Sequence, residues 1–399
     1  MIAGLLIIAL GGFAANLIVN AVREKHVFVD GVFLKRLYYY HVSLSLVYYI
    51  YVLFSPSDSR AYYRSAFVTE DWLSLYGTST TFIKFVNYPF VAYGGFSYEA
   101  MMALFSFLGY IGFIFMYVFF KENIRFKHKF FRVDLLTLIF LLPNLHFWSG
   151  SLGKGSIIFL GIGLLFFGLG KPSKRVVPLL LGSLIVYHVR PHVMLMILVS
   201  SAAGFLFSSK GVSLAARALF LLGAVGAFFV IYQDVLTLVG IDEEEFLSQG
   251  LDLSHRAAEL SKATSGVDIT NYSLPLQVFT FLYRPLFFDA PGMLGIVVSF
   301  ENVFYILFSF NLFRLAGVKY LLRSNSLVKS AALSFVTVSI ALAQISGNLG
   351  LAIRQKSQVM ILFLFVILMF LDDQKYQRWI AYTREKGRRM TGKKATIPQ

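Results

Sequence analysis

IAGLLIIALGGFAANLIVNA, residues Ile2–Ala21, contains no charged side chain. As a helix rising about 1.5 Å per residue, it is long enough to cross the roughly 30 Å hydrocarbon core of a bilayer. Arg23 and Lys25 follow it and no basic stretch precedes it, the reverse of a cleavable signal sequence. It reads as a first membrane span with its N-terminus outside and its basic end in the cytoplasm.

Similar apolar runs recur along the chain. They predict an all-α polytopic membrane protein of eleven spans, at roughly 2–21, 37–55, 97–120, 133–148, 153–170, 175–189, 191–208, 212–236, 292–313, 328–346 and 353–371. Residues 1–371 then form the transmembrane domain, with outer loops at about 56–96 and 237–291. Residues 372–399 form a basic cytoplasmic tail, expected to be disordered and to anchor on anionic lipid. Of the 399 residues 57% are hydrophobic and 14% charged, against about 25% charged in soluble domains. The mean hydropathy is +0.69, and the 42 Phe and 22 Tyr suit lipid contact and interfacial belts. With no Cys there is neither a disulfide framework nor a thiolate metal site. The seven His are scattered, without a metal-ligand spacing. No metal or other cofactor is expected.

The net charge of +15 reflects Lys and Arg retained at the cytoplasmic face rather than a nucleic-acid partner. With the C-terminus inside, the inner segments are Arg23–Arg36, Lys121–Arg132, Lys171–Arg175, Lys210 with Arg217, Arg314–Lys329 and Lys375–Lys394. Together they hold 26 of the 36 Lys and Arg. A hairpin turning at His188–His192 keeps Lys174, Arg175 and Lys210 on that same side. No internal repeat is apparent, which argues against an inverted-repeat transporter.

The outer face is where chemistry is expected. Lys154, Arg190 and Arg354 fall at or near the starts of outward-beginning spans, where the helix dipole disfavours a cation. An anion shared between helix N-termini and cations would compensate, so an anion site is inferred. Trp148-Ser-Gly-Ser-Leu-Gly-Lys154-Gly-Ser156 is either a phosphate cradle or a tight turn with a snorkelling lysine. It is no P-loop, because Trp148 stands at the required first glycine. His188-Val-Arg190-Pro-His192 puts two imidazoles and a guanidinium at a turn, for a phosphate and a proton or as interfacial polar residues. Arg284-Pro with Asp289 precedes the ninth span. Glu301 lies within that span, as a functional carboxylate or a structural ion pair. Ser346-Gly-Asn348 leads into Arg354. In the first outer loop, Asp58 and Tyr62 belong to a mix suited to sugars or headgroups. The Asp242–Glu245 run in the later loop reads as a solvated face.

Taken together, the Asp58 stretch, Trp148–Lys154, Arg190-Pro-His192, Arg284-Pro, and Gly347-Asn348 with Arg354 resemble the Wzy-type polymerases of O-antigen and exopolysaccharide repeat units and the related EpsG-like proteins. The likeness spans most of the chain as architecture and rests on short motifs. It departs from the pattern at Gly155, where an acidic residue usually follows the Ser-x-x-x-x-Lys sequence. The resemblance implies a GT-C-like glycosyltransferase in the bacterial cytoplasmic membrane, facing outward. It would act on undecaprenyl-pyrophosphate-linked glycan, without metal or nucleotide, beside membrane lipid and a chain-length regulator. A hydroxyl of one lipid-linked unit attacks the anomeric carbon of another, and the lipid pyrophosphate leaves. Arg190, His192, Arg284, Glu301 and Asp289 are then the catalytic candidates, with His192 favoured for the proton. Lys154, Arg354, His188, Asn348, Asp58 and Tyr62 would bind substrate. A single-addition transferase, a glycan ligase and a flippase for lipid-linked sugar are the alternatives.

Overall fold

A computed structural model of the chain describes residues 2–208, 213–239, 266–269 and 271–390. The acidic run at 242–245 lies outside them. In chain order the described helices are α1 (Ile2–Lys25), α2 (Gly31–Phe54), α3 (Asp58–Val68), α4 (Thr80–Tyr88), α5 (Tyr98–Asn123), α6 (Leu135–Phe140), α7 (Pro143–Ser149) and α8 (Lys154–Gly170). They continue as α9 (Val176–Val189), α10 (Pro191–Leu206), α11 (Leu214–Val239), α12 (Leu274–Tyr283), α13 (Gly292–Phe313), α14 (Leu315–Arg323), α15 (Ser326–Ile345) and α16 (Leu349–Met390). A two-stranded ribbon pairs Lys129–Phe130 with Val133–Asp134.

Six of these helices are long and apolar enough to cross a membrane: α1, α2, α5, α13, α15 and α16 as far as Lys386. The other apolar segments, among them α8, α9, α10 and α12, are shorter, so the described residues carry six full-length candidates beside the eleven spans expected. The lipid-facing character is plain in α1. Its buried positions are Gly4, Gly11, Ala15 and Val19, while Leu5, Leu6, Leu10, Phe13 and Leu17 are exposed. Small residues inward and large apolar residues outward invert the pattern of a soluble helix and suit close packing in lipid.

Small residues also set the interior contacts. At Gly163 an added Cβ would stand 2.7 Å from the Gly112 carbonyl oxygen, so α5 and α8 touch backbone to backbone. α8 and α9 run antiparallel, with Gly168 against Leu179 and Gly161 against Ile185 and Val186. Behind them α16 is buried without interruption from Val359 to Leu368. Its 42 residues span about 63 Å at 1.5 Å per residue. The tail expected to be disordered past Asp372 is therefore, as far as Met390, the continuation of this helix.

The segment expected as a continuous span at 133–148 is broken. α6 stops at Phe140, and Pro143, which has no amide hydrogen to continue the ladder, begins α7. Such a break frees backbone groups in an apolar interior, where each must find another partner. His146 Nε2 bonds the Phe140 carbonyl at 2.8 Å, and the Tyr40 hydroxyl donates to the Leu141 carbonyl at 2.8 Å. The Asn144 amide donates to Glu301 Oε1 at 2.7 Å. His146 also meets His41 nitrogen to nitrogen at 2.9 Å, and both imidazoles are fully buried. The loop expected at about 56–96 is ordered by α3 and α4. In the region 237–291 the described parts include α12 and the pairing of Gly266–Val267 with Gly347–Asn348.

Candidate functional site

Three chain breaks converge to build the site. Lys154 opens α8, Arg190 is the one residue between α9 and α10, and Arg354 sits just over a turn into α16. Pro191 explains the second break, since it fits the first turn of α10 and cannot continue α9. Arg190 takes an extended conformation there, with φ −150° and ψ 83°. The expected turn at His188–His192 is thus a helix break centred on Arg190.

Arg190 is 6% exposed, and its Nε is buried without a hydrogen-bond partner. Burial, and then the neighbouring charge of Arg354, pull its pKa from the usual guanidinium value to about 9, so it stays charged at neutral pH. Arg354 is itself paired, donating from Nη1 to Asp58 Oδ2 at 2.9 Å, and its guanidinium stands 5.8 Å from the Trp148 ring centre. Tyr62, one turn along α3 from Asp58, is 3% exposed and lies beside Gly153 and both arginines. Burial first, and the Asp58 carboxylate second, push its phenol above the ordinary tyrosine pKa.

Lys154 Nζ donates to Ser79 Oγ at 2.8 Å, and the Ser79 amide donates to the His188 carbonyl at 2.6 Å. Ser79 therefore ties the Lys154 turn to the Arg190 break. Gly155 has a steric origin. A Cβ there would stand 2.1 Å from the Trp148 carbonyl oxygen, so no acidic side chain fits next to Lys154.

The predicted residues thus divide. Arg190, Arg354, Lys154, Asp58 and Tyr62 come together, with the His188 backbone at their edge. The His188 imidazole bonds elsewhere, through Nδ1 to the Leu184 carbonyl at 2.8 Å and through Nε2 to the Tyr76 hydroxyl at 3.0 Å. Both of its nitrogens are engaged in these bonds. His192 lies half-buried in the first turn of α10. Asn348 caps α16, accepting from the Leu351 amide at 3.0 Å.

Arg284, Asp289 and Glu301 belong to a second, interior network. Arg284 Nε is bonded to Asp289, which also accepts from the Leu286 amide, so the pair closes its own loop. Glu301 is 4% exposed and accepts from the Asn144 amide and, at 3.2 Å, from the Tyr305 hydroxyl. Sequence reasoning missed the centre of this network. Lys356, counted among the outer cations, has no exposure at all, and donates at 2.7 Å to both the Arg284 carbonyl and Asn302 Oδ1. The signal available was its place three residues before the apolar run that begins at Val359, on the same helix as Arg354. Asn144 joins the two networks. Its amide holds Glu301, and its Oδ1 accepts from Trp148 Nε1 at 3.0 Å, beneath Arg354.

The arrangement can bind and stabilise negative charge. Among the described residues no group of three or more metal-ligating side chains is present. An apolar cavity of about 380 Å³ opens beside Trp148, lined also by Tyr51, Gly292, Gly295, Gly350 and Ile353. Set against known protein families, characterised proteins and solved structures, the chain matches none.

Proposed function

We propose that this chain is a membrane glycosyltransferase that polymerises oligosaccharide units carried on a lipid pyrophosphate, at the outer face of a bacterial cytoplasmic membrane. The observation that carries the reading is the buried Arg190 guanidinium, with no acidic partner among the described residues, set beside Arg354. A cation placed this way lacks a compensating charge until an anion arrives. In glycosyl transfer from a lipid pyrophosphate, the acceptor oxygen bonds to the anomeric carbon as the bond from that carbon to the phosphate oxygen breaks. The electron pair leaves with the pyrophosphate, and the hydroxyl proton passes to a base. Negative charge thus develops on a phosphate oxygen, where Arg190 and Arg354 would stabilise it more in the transition state than before. His192, two residues from Arg190, is the candidate to take the proton. The sidedness, eleven spans and GT-C-like architecture of the sequence reading are part of this proposal.

The resemblance supports polymerisation over a single sugar addition, and the test is the product. In cells lacking the gene, mass spectrometry of lipid-linked glycans should show one complete repeat unit accumulating without longer chains. Arg190→Ala should reproduce that profile with the protein still in the membrane. A unit short by one sugar would replace polymerisation with single addition. Normal polymer in the Arg190→Ala strain would overturn the assignment.

A further inference from the structure

The two guanidiniums of the site are treated differently. Among the described residues no carboxylate pairs with Arg190, whereas Arg354 is held by one whose side chain is 61% exposed. Arg354 is the buried end of that pair, at 20% side-chain exposure. Asp58 begins α3, whose N-cap Ser57 bonds the Ser59 amide and the Tyr48 hydroxyl. The helix is therefore anchored independently of the ion pair, and Asp58 can turn into water by side-chain rotation alone. An exposed carboxylate is readily resolvated. A half-buried guanidinium left behind needs another acceptor.

We propose that Asp58 is a specificity-determining residue that sets the charge of the anion this site accepts. It occupies Arg354 as a built-in singly charged competitor. An incoming monoanion is left with Arg190 alone, because displacing Asp58 from Arg354 exchanges one carboxylate-like partner for another, with little gain. A multiply charged phosphate gains more, because once Asp58 has moved it meets both Arg354 and Arg190. The favoured ligand class is thus a phosphate ester or pyrophosphate bearing at least two negative charges, and singly charged anions bind more weakly, through Arg190 alone. This rests on the anion-site reading above and adds the ligand's charge class and the residue that enforces it. It also reverses the role expected from sequence, in which Asp58 binds substrate.

The test is calorimetric titration of the full chain, purified in lipid nanodiscs, with inorganic pyrophosphate and with acetate. Wild type should bind pyrophosphate far more tightly than acetate. Asp58→Asn keeps the shape and removes the charge. It should bind pyrophosphate roughly three- to tenfold more tightly, the worth of a partly exposed ion pair, and should also bind acetate more tightly than wild type does. Thermal unfolding of both proteins establishes that the variant is folded. Unchanged or weaker pyrophosphate binding by folded Asp58→Asn overturns the proposal. Arg190→Ala separates the two levels. If it abolishes pyrophosphate binding while Asp58→Asn fails to tighten it, the anion site stands and the charge filter falls. If Arg190→Ala binds like wild type, the reading beneath both falls.

Discussion

Replacing Arg190 with methionine should make the empty protein more stable and the anion-loaded protein less so. Arg190 brings a charge into a site with 6% exposure, leaves Nε without an acceptor and faces the charge of Arg354. Removing a buried charge from water costs several kcal/mol after relaxation, and only a partner offsets it. An unbranched apolar side chain of similar length removes both the desolvation and the repulsion. Apolar replacement of buried ionic groups is neutral to stabilising by about 1–4 kcal/mol, and the upper part of that range applies where no partner is lost. Inorganic pyrophosphate acts oppositely. At one hundred times its dissociation constant it should stabilise wild type by about 2.7 kcal/mol, and a variant that does not bind it by nothing. The assay is the apparent unfolding temperature in nanodiscs at one fixed heating rate, because membrane proteins commonly unfold irreversibly. The two proteins should change order: Arg190→Met higher without pyrophosphate, wild type higher with it. A variant that unfolds earlier in both conditions would refute the reasoning, since Arg190 would then be a structural cation.

Two further outcomes are expected. Glu301→Gln and Lys356→Met should each destabilise the chain by about 1–3 kcal/mol, the cost of leaving buried hydrogen-bond partners unsatisfied. The double variant should then cost less than the two combined by about 0.5–3 kcal/mol. Strict additivity in thermal unfolding would show that the two charges do not interact. Because the natural chain has no Cys, single cysteines at the exposed Tyr76 and Tyr382 report sidedness. A membrane-impermeant maleimide on intact cells should label the former and spare the latter, and the opposite result would invert the topology.

The helical membrane class was legible because composition and uninterrupted apolar runs depend on the bilayer, not on tertiary detail. The convergence of Lys154, Arg190 and Arg354 was legible for a related reason. Lys154 and Arg190 are cations at a helix start, an unfavourable position that local sequence exposes, and Arg354, expected at one, lies just over a turn inside α16. The break between α6 and α7 was not, although Pro143 stands in the sequence. A proline in an apolar run is equally compatible with a kink, and what decides is whether remote groups take the freed backbone. Those groups are Tyr40, more than a hundred positions upstream of the Leu141 carbonyl it bonds, and Glu301, far downstream of Asn144. Lys356 escaped for the same reason. Its acceptors, the Arg284 carbonyl and Asn302, come from another part of the chain, and nothing local distinguishes a satisfied buried lysine from one at the surface. Length misled at the C-terminus, where polar residues continue a helix already nucleated by the apolar stretch before them.

The strongest argument that Arg190 serves a ligand comes from how this fold treats its other buried cations. Among the described residues the Lys and Arg that are buried are Arg175, Arg190 and Lys356. Arg175 makes two bonds to the Glu122 carboxylate, at 2.7 and 2.8 Å, and a third to the Phe167 carbonyl, with its guanidinium 3.7 Å from the Phe167 ring centre. Lys356 has a carbonyl and an amide oxygen at 2.7 Å. Both are therefore held as structural cations are, with each charge covered by acceptors that fold with it. The same chain that surrounds Arg175 and Lys356 with oxygen leaves Arg190 facing Arg354. A structural role predicts the first treatment at all three positions. A binding role predicts the exception where it is found, at a helix break next to Tyr62, with the Asp58 carboxylate committed to the other arginine. Pre-organised cations of this kind stabilise charge that arrives later without reorganising at the moment of reaction, and the stability lost in the empty state is the expected companion of that arrangement.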